Sequence, residues 1–289
     1  MEKKFVRVVP YQEVPDEKCF LPHTVAQSAL FALARDPGVP FDEAARLIRV
    51  GGGNEISFAN GKGDRVAIYA PRQLYCTPDM GVFLAVLAAA QQAGITEYRL
   101  PEKTTPLFFS KFAISSLYEI LGMSSKKSSR LWYSMDAIGA TRISVEYARP
   151  EDHGGQAAWS TKSFWDMEYF SQKGRTGGHI EAMLAPCLVP QKHYLWVNAV
   201  ELNRLRSDTA RAIYWALLSR EHWSLTVADW QKALRSTDPN TRRWKADCFI
   251  PALRELADQN GFAWVAKETR NGTEYVVKRP RKGRFGRMA

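Results

Sequence analysis

The sequence predicts an α+β protein built from two tandem winged-helix domains related by pseudo-symmetry. Three observations predict it. Residues Ser207–Arg279 read as three helices followed by a two-stranded ribbon, the element order of a winged helix. The first half repeats that order: helix, helix, basic helix, ribbon. The repeat is one of architecture, since no sequence repeat is detectable. Finally, 289 residues suit one large or two ordinary domains, 45% hydrophobic content supports a real core, and a net charge of +10 favours a polyanionic partner. The expected organisation is an N-terminal arm over 1–22, a first winged helix over 23–190, a second over 191–279 and a basic tail over 280–289.

In chain order, residues 1–20 mix Val6, Val8, Val9 and Tyr11 with prolines and charges, which predicts an extended arm or edge strand. His23–Ala34 reads as a short helix with Ala26, Ala29, Leu30 and Leu33 on one face, ended by Pro37-Gly38. Ile56–Ala59 and Arg65–Ala70 flank Asn60-Gly61-Lys62-Gly63-Asp64 as a hairpin. Thr77-Pro78 reads as an N-cap with proline at the first helical position, and the helix through Phe83, Val86, Leu87 and Ala90 stops at Gly94. A strand follows around Tyr98 and Leu100. Ser116 with Glu119 forms a capping box for a short helix that Gly122 ends. The next helix turns Leu131, Trp132, Met135 and Ile138 inward, with Lys126, Lys127 and Arg130 at its exposed start. Strands are expected at Thr141–Tyr147, Phe164–Phe170 and His179–Leu184. The glycine-rich loop between the last two carries Lys173 and Arg175, as the tip of a wing would.

Tyr194 and Trp196 are expected to begin the second domain's sheet. Ser207 or Asp208 caps a helix carrying Ala210, Ile213, Tyr214, Leu217 and Leu218 at helical spacing. Thr226 with Asp229 opens a second helix whose inner face holds Val227, Trp230 and Leu234. A third helix carries Arg242, Arg243 and Lys245 in its first turns, after Thr241. Phe262–Glu268 and Thr273–Arg279 form a ribbon across Asn271-Gly272, a strong hairpin signal, with Arg270 beside the turn.

Lys278, Arg279, Arg281, Lys282, Arg284 and Arg287 supply six of the ten excess positive charges, with no acid among them. Such a tail reads equally as a solvated end and as an arm that holds phosphates. Four cysteines lie far apart with no Cys-x-x-Cys, which argues against a zinc knuckle or a disulfide framework and fits a reducing cytoplasm. No run of 18 apolar residues exists, so neither a membrane span nor a signal peptide is expected.

The second half resembles the plasmid replication initiators of the TrfA and RepC type. The resemblance rests on Leu205-Arg206-Ser207-Asp208-Thr209-Ala210-Arg211, Leu218-Ser219-Arg220, Thr241-Arg242-Arg243-Trp244-Lys245 and Ala252-Leu253-Arg254-Glu255-Leu256. A weaker match lies at Thr24-Val25-Ala26-Gln27-Ser28-Ala29-Leu30-Phe31. The resemblance implies two winged helices in tandem and binding to direct repeats, called iterons, at a plasmid origin. It also implies melting of adjacent duplex, recruitment of a replicative helicase, and control of copy number through a homodimer formed by the first domain. Arg242, Arg243 and Lys245 would then lie on the second domain's recognition helix, and Lys126, Lys127 and Arg130 on the first's. Pro251 departs from the family pattern: either the third helix bends there, or a new helical turn begins. No clamp-binding motif of the Gln-Leu-Ser-Leu-Phe kind is present.

Catalysis is not expected, and neither a metal nor a cofactor is. His23, His153, His179, His193 and His222 are isolated, so the paired histidines of a rolling-circle nickase are missing. Gly61-Lys62-Gly63 is the nearest approach to a phosphate loop, yet Ile56 takes the first glycine's place and Gly63 the hydroxyl's, so it reads as a hairpin turn. Basic side chains at a helix start oppose the macrodipole, so Arg242 and Arg243 read as phosphate or base contacts rather than as stabilising groups. Wing and tail contacts are expected from Lys173, Arg175, Arg270, Lys278, Arg279, Arg281 and Lys282. Trp132, Trp230 and Trp244 read as core anchors. The alternative function is a winged-helix transcriptional regulator without a role in replication.

Overall fold

The computed structural model describes residues 5–7, 18–22, 25, 31, 54–59, 65–72, 74–99, 106–123, 128–146, 148–153, 158–160, 163–171, 177–189, 194–234, 236, 238–270 and 272–280. Helix and strand are mixed throughout. All of the helix expected over 23–34 except Val25 and Phe31, the turn residues 60–64, Lys126, Lys127, Lys173, Arg175, Arg281 and Lys282 lie outside the described residues.

In the first half, α1 (Gly81–Ala93) is buried along nearly its whole length and forms the hub of the core. Its apolar residues run all round the helix, as a helix packed on every side requires. Thr77 does not cap it. The chain enters through a π-helical turn over Cys76–Met80 in which Thr77 is extended (φ −130°, ψ 124°), and the Thr77 hydroxyl is engaged elsewhere. Gly94, at φ 94°, takes the chain out of α1 into β5 (Ile95–Tyr98). The strand β6 (Leu107–Ala113) was not legible in the sequence; it buries Phe108, Ser110 and Phe112 on alternate positions. It runs directly into α2 (Ile114–Leu121), which therefore begins two residues before the expected Ser116 cap. Then come α3 (Ser128–Gly139) and the ribbon β9 (Trp165–Ser171) and β10 (Gly178–Leu184). With β1 (Phe5–Arg7) on the outer edge, the sheet order is β1-β5-β6-β10-β9, antiparallel throughout.

A second sheet belongs to the first half alone. β3 (Asn54–Ala59), β4 (Arg65–Ala70), β7 (Arg142–Glu146) and β8 (Ala158–Ser160) form it in that order. The hairpin expected over 56–70 is its first pair, but the strand after α3 joins this sheet rather than the β9–β10 ribbon.

Between the halves, β11 (Tyr194–Asn198) pairs with β2 (Lys18–Pro22) in a two-stranded sheet of its own. Tyr194 and Trp196 therefore do not start the later sheet. Asn198 caps the short α4 (Ala199–Arg204), its side chain accepting the Glu201 N–H at 2.9 Å.

The second half runs α5 (Asp208–Ala216), β12 (His222–Thr226), α6 (Val227–Ala233), a third helix from Thr241 to Asn260, then β13 (Ala263–Thr269) and β14 (Gly272–Lys278). Ser207 caps α5 and Thr226 caps α6, as the sequence predicts. The third helix is continuous. It passes from α7 (Thr241–Trp244) through one π-helical turn, Lys245–Phe249, into α8 (Ile250–Asn260), with Lys245 and Ile250 both in the right-handed helical region. That wide turn is how Pro251 is accommodated, because the Ile250 N–H reaches back to the Lys245 carbonyl just before the residue that has no N–H to give. Sheet order here is β12-β14-β13, so the strand that follows the first helix pairs with the last strand of the ribbon. The order β6-β10-β9 in the first half has the same form.

The core of the second half is aromatic. Trp230 is fully buried, donates its indole N–H to the Tyr275 carbonyl at 3.1 Å, and meets Phe249 at 5.8 Å between ring centroids. Trp244 stacks on Phe249 at 5.2 Å. Trp132 in the first half is only half-buried, against Tyr169.

Candidate nucleic-acid interface

The site is the start of the third helix. Asn240 caps it, its side-chain oxygen accepting the Arg243 N–H at 2.9 Å. Asn240 was missed in the sequence, although an Asn three residues before an arginine in a new helix is a readable cap. Gln231, at the end of α6, fixes the turn that leads in. Its amide donates to the Asp238 carbonyl at 2.5 Å and its oxygen accepts the Thr241 hydroxyl at 2.7 Å. Thr241 is thus committed to holding the helix in place.

Arg242 and Arg243 project from this capped turn into solvent. Arg243 is 74% exposed and lies 3.5 Å from the carboxylate of Asp247, itself 64% exposed. An exposed i,i+4 pair of that length contributes at most about 0.5 kcal/mol, so Arg243 can exchange Asp247 for another acceptor at small cost. Neither arginine is tucked against the protein. Lys245 differs: it is half-buried, and its ammonium lies 5.1 Å from the ring of Tyr275, so it also ties the helix to the ribbon.

The ribbon carries a further cation at its turn. Thr269 pairs with Gly272, so Arg270 stands at the exposed turn, one residue earlier than the Asn271-Gly272 turn expected. Gly272 at φ 107° supplies a backbone conformation that side chains disfavour. Because α8 feeds directly into β13, the helix C-terminus sits at the base of the ribbon and its basic N-terminal turns face the tip half. Lys245 over Tyr275 fixes that arrangement.

Lys278 and Arg279 are at the opposite end. Lys278 pairs with Ala263 at the ribbon base, about 30 Å along the helix from Thr241 by helical rise. Arg279 donates from a guanidinium nitrogen to the Leu218 carbonyl at 2.7 Å, and its backbone N–H to Glu221. The structure therefore brings together Thr241, Arg242, Arg243 and Lys245 on one helix start, leaves Arg270 at the ribbon turn, and sets Lys278 and Arg279 at the ribbon base. Lys267, exposed on β13, is a basic residue of the ribbon that its sequence pattern did not single out.

In the first half, Arg130 falls in the first turn of α3, the position corresponding to Arg242 and Arg243 by element order. Farther along, a cavity of about 510 Å³ opens between α3 and β9, walled by Trp132 and Tyr169 and carrying Asp136, Asp166 and Glu168. Burial holds the Asp136 carboxyl above its usual range. Three carboxylates repel phosphate, so any polyanion contact in this half belongs at the helix start. Among the described residues no cluster of three or more His, Cys, Asp and Glu has the placement of a metal site, and no helix is long and apolar enough to cross a membrane.

No protein-family model matches the chain, and no curated protein matches it. Among solved structures, the chain is similar to a Pi initiator protein in complex with iteron DNA, at 14% identity and a TM-score of 0.46, over 69% of this chain and 88% of that one. The functional reading of the basic turn rests on this chain's own residues.

Proposed function

We propose that the chain binds double-stranded DNA through two tandem winged helices related by pseudo-symmetry, and that it is a plasmid replication initiator acting on direct repeats at its origin. The observation that carries the reading is the capped, solvent-facing Arg242–Arg243 turn at the start of the third helix. Matching order in the halves supports the pairing: helix, strand, helix, helix, ribbon, with sheet orders β6-β10-β9 and β12-β14-β13. Arginine forks onto guanine O6 and N7 in a major groove, while ribbon and tail cations meet phosphates. Binding at repeats would then strain the adjacent duplex and admit a helicase. Phe170 and Met183, each 40% or more exposed on the same face of the outer ribbon of the first half, favour that half as the homodimer face.

Fluorescence anisotropy tests the reading: a duplex enriched from a random pool should bind at least about 10³-fold more tightly than unselected duplex at physiological salt. Equal affinity for both overturns it. A transcriptional regulator would share the geometry, and maintenance of a plasmid carrying only the gene and its flanking repeats separates the two.

A further inference from the structure

The two halves meet along an apolar seam, through the β2–β11 strand pair and the Asn203 amide donating to the Ile120 carbonyl, and through a polar lock at Thr77. Trp215 of α5 packs edge-on against Phe31 at 5.0 Å and against Phe83 of α1 at 6.1 Å. Such contacts hold surfaces together without fixing an angle. The lock is directional. Arg211 donates to the Leu205 carbonyl at 3.0 Å and the Asn203 carbonyl at 3.1 Å, carbonyls at the end of α4 that lack an intrahelical partner. Its remaining arm donates to the hydroxyl of Thr77. That hydroxyl in turn donates to the Asp208 carboxylate at 2.5 Å. Asp208 and Arg211 stand three residues apart on the first turn of α5, so one threonine of the first half sits between an anion and a cation of the second.

The lock continues to the basic helix. Glu255 of α8 accepts the N–H groups of Arg206 and Ser207, at 2.5 and 3.1 Å, immediately before α5. An unbroken path thus runs from the turn that enters α1, through Thr77 and the start of α5, to the helix that carries Arg242 and Arg243. Hydrogen bonds impose direction where apolar packing does not.

Resting on the DNA-binding reading above, we propose that Thr77, Asp208 and Arg211 are positioning residues that set the angle and separation of the two reading units, and with them the base-pair spacing that the chain accepts between its two contacted stretches.

The test starts from a duplex selected by the full-length chain from a random pool, with one, two or five base pairs then inserted between the two protected stretches. For the wild-type chain one inserted pair should weaken binding about 100-fold, because the second unit loses its effective concentration. Thr77→Val, which removes the hydroxyl and keeps the shape, should bind the uninserted duplex within about fivefold of wild type and lose less than about tenfold on insertion. Thr77→Ser should restore the wild-type penalty. Equal weakening on all duplexes, or an unchanged insertion penalty in Thr77→Val, overturns the proposal. Circular dichroism and thermal melting check the fold, and Asp208→Asn makes the same forecast should Thr77→Val not fold. A pool that yields no enriched duplex sinks the DNA-binding reading itself, whereas enrichment with an unaltered insertion penalty removes only the lock.

Discussion

Arg243 is the residue on which the interface turns. A guanidinium that is mostly solvent-exposed, paired only loosely with Asp247, has little structural role to lose. Arg243→Ala should therefore leave the melting temperature nearly unchanged while weakening binding to a selected duplex by about 1–3 kcal/mol. An equal loss on unselected duplex would reassign it to phosphate contact. Trp230 makes the opposite forecast: its truncation to alanine should cost about 3–5 kcal/mol of stability, read from denaturant unfolding, because it fills the core and satisfies the Tyr275 carbonyl. Cysteine chemistry is graded by burial. Cys19 is fully buried with its thiol pushed up to about 12, so it stays protonated at every working pH. Cys248 is raised too, by burial first and then by Asp238 and Asp247, yet it is partly open to solvent. Native-state alkylation should modify Cys248 well before Cys19 or Cys76, and bound duplex should slow it.

At the scale of elements, side chains whose chemistry is local were legible in advance. Ser207 and Thr226 cap where their spacing to the helix start requires it, and Gly94 and Gly122 end helices at positive φ. Failures came where a distant partner overrode a local rule. Thr77 has the look of a cap, but its hydroxyl is claimed by Asp208, which is 131 residues away. Ser116 lost its cap because β6 runs straight into α2, and the apolar alternation of β6 is interrupted by Ser110 on its buried face. The interface was half legible: basic residues at a helix start could be read, but Gln231 holding Thr241 could not, because it depends on how α6 meets the next turn. The cap at Asn240 has its own forecast. Asn240→Ala should cost about 1 kcal/mol in stability and lower DNA affinity with it, since Arg242 and Arg243 project from the turn it secures.

For the whole molecule, the continuous packing of Phe83 against Trp165 and Trp215 joins both halves in one core. Chemical denaturation should accordingly give a single transition by fluorescence and by circular dichroism, and two separated steps would show the seam to be weak. Removing residues 281–289 takes away four cations. The salt dependence of binding should flatten, by up to about 0.9 in slope for each phosphate no longer neutralised, while discrimination between duplexes persists. The paired sheet orders were foreseeable only as a repeated succession of elements; which strand lies next to which is decided by long-range pairing that no local pattern records.

The sheet β3-β4-β7-β8 has no counterpart among the described residues of the second half. Its consequence is polarity along a track: the two halves differ in bulk, so if copies bind successive direct repeats as proposed, every copy presents the same half in the same direction. An array of this kind has a front and a rear, and whatever is loaded beside it meets only one of them.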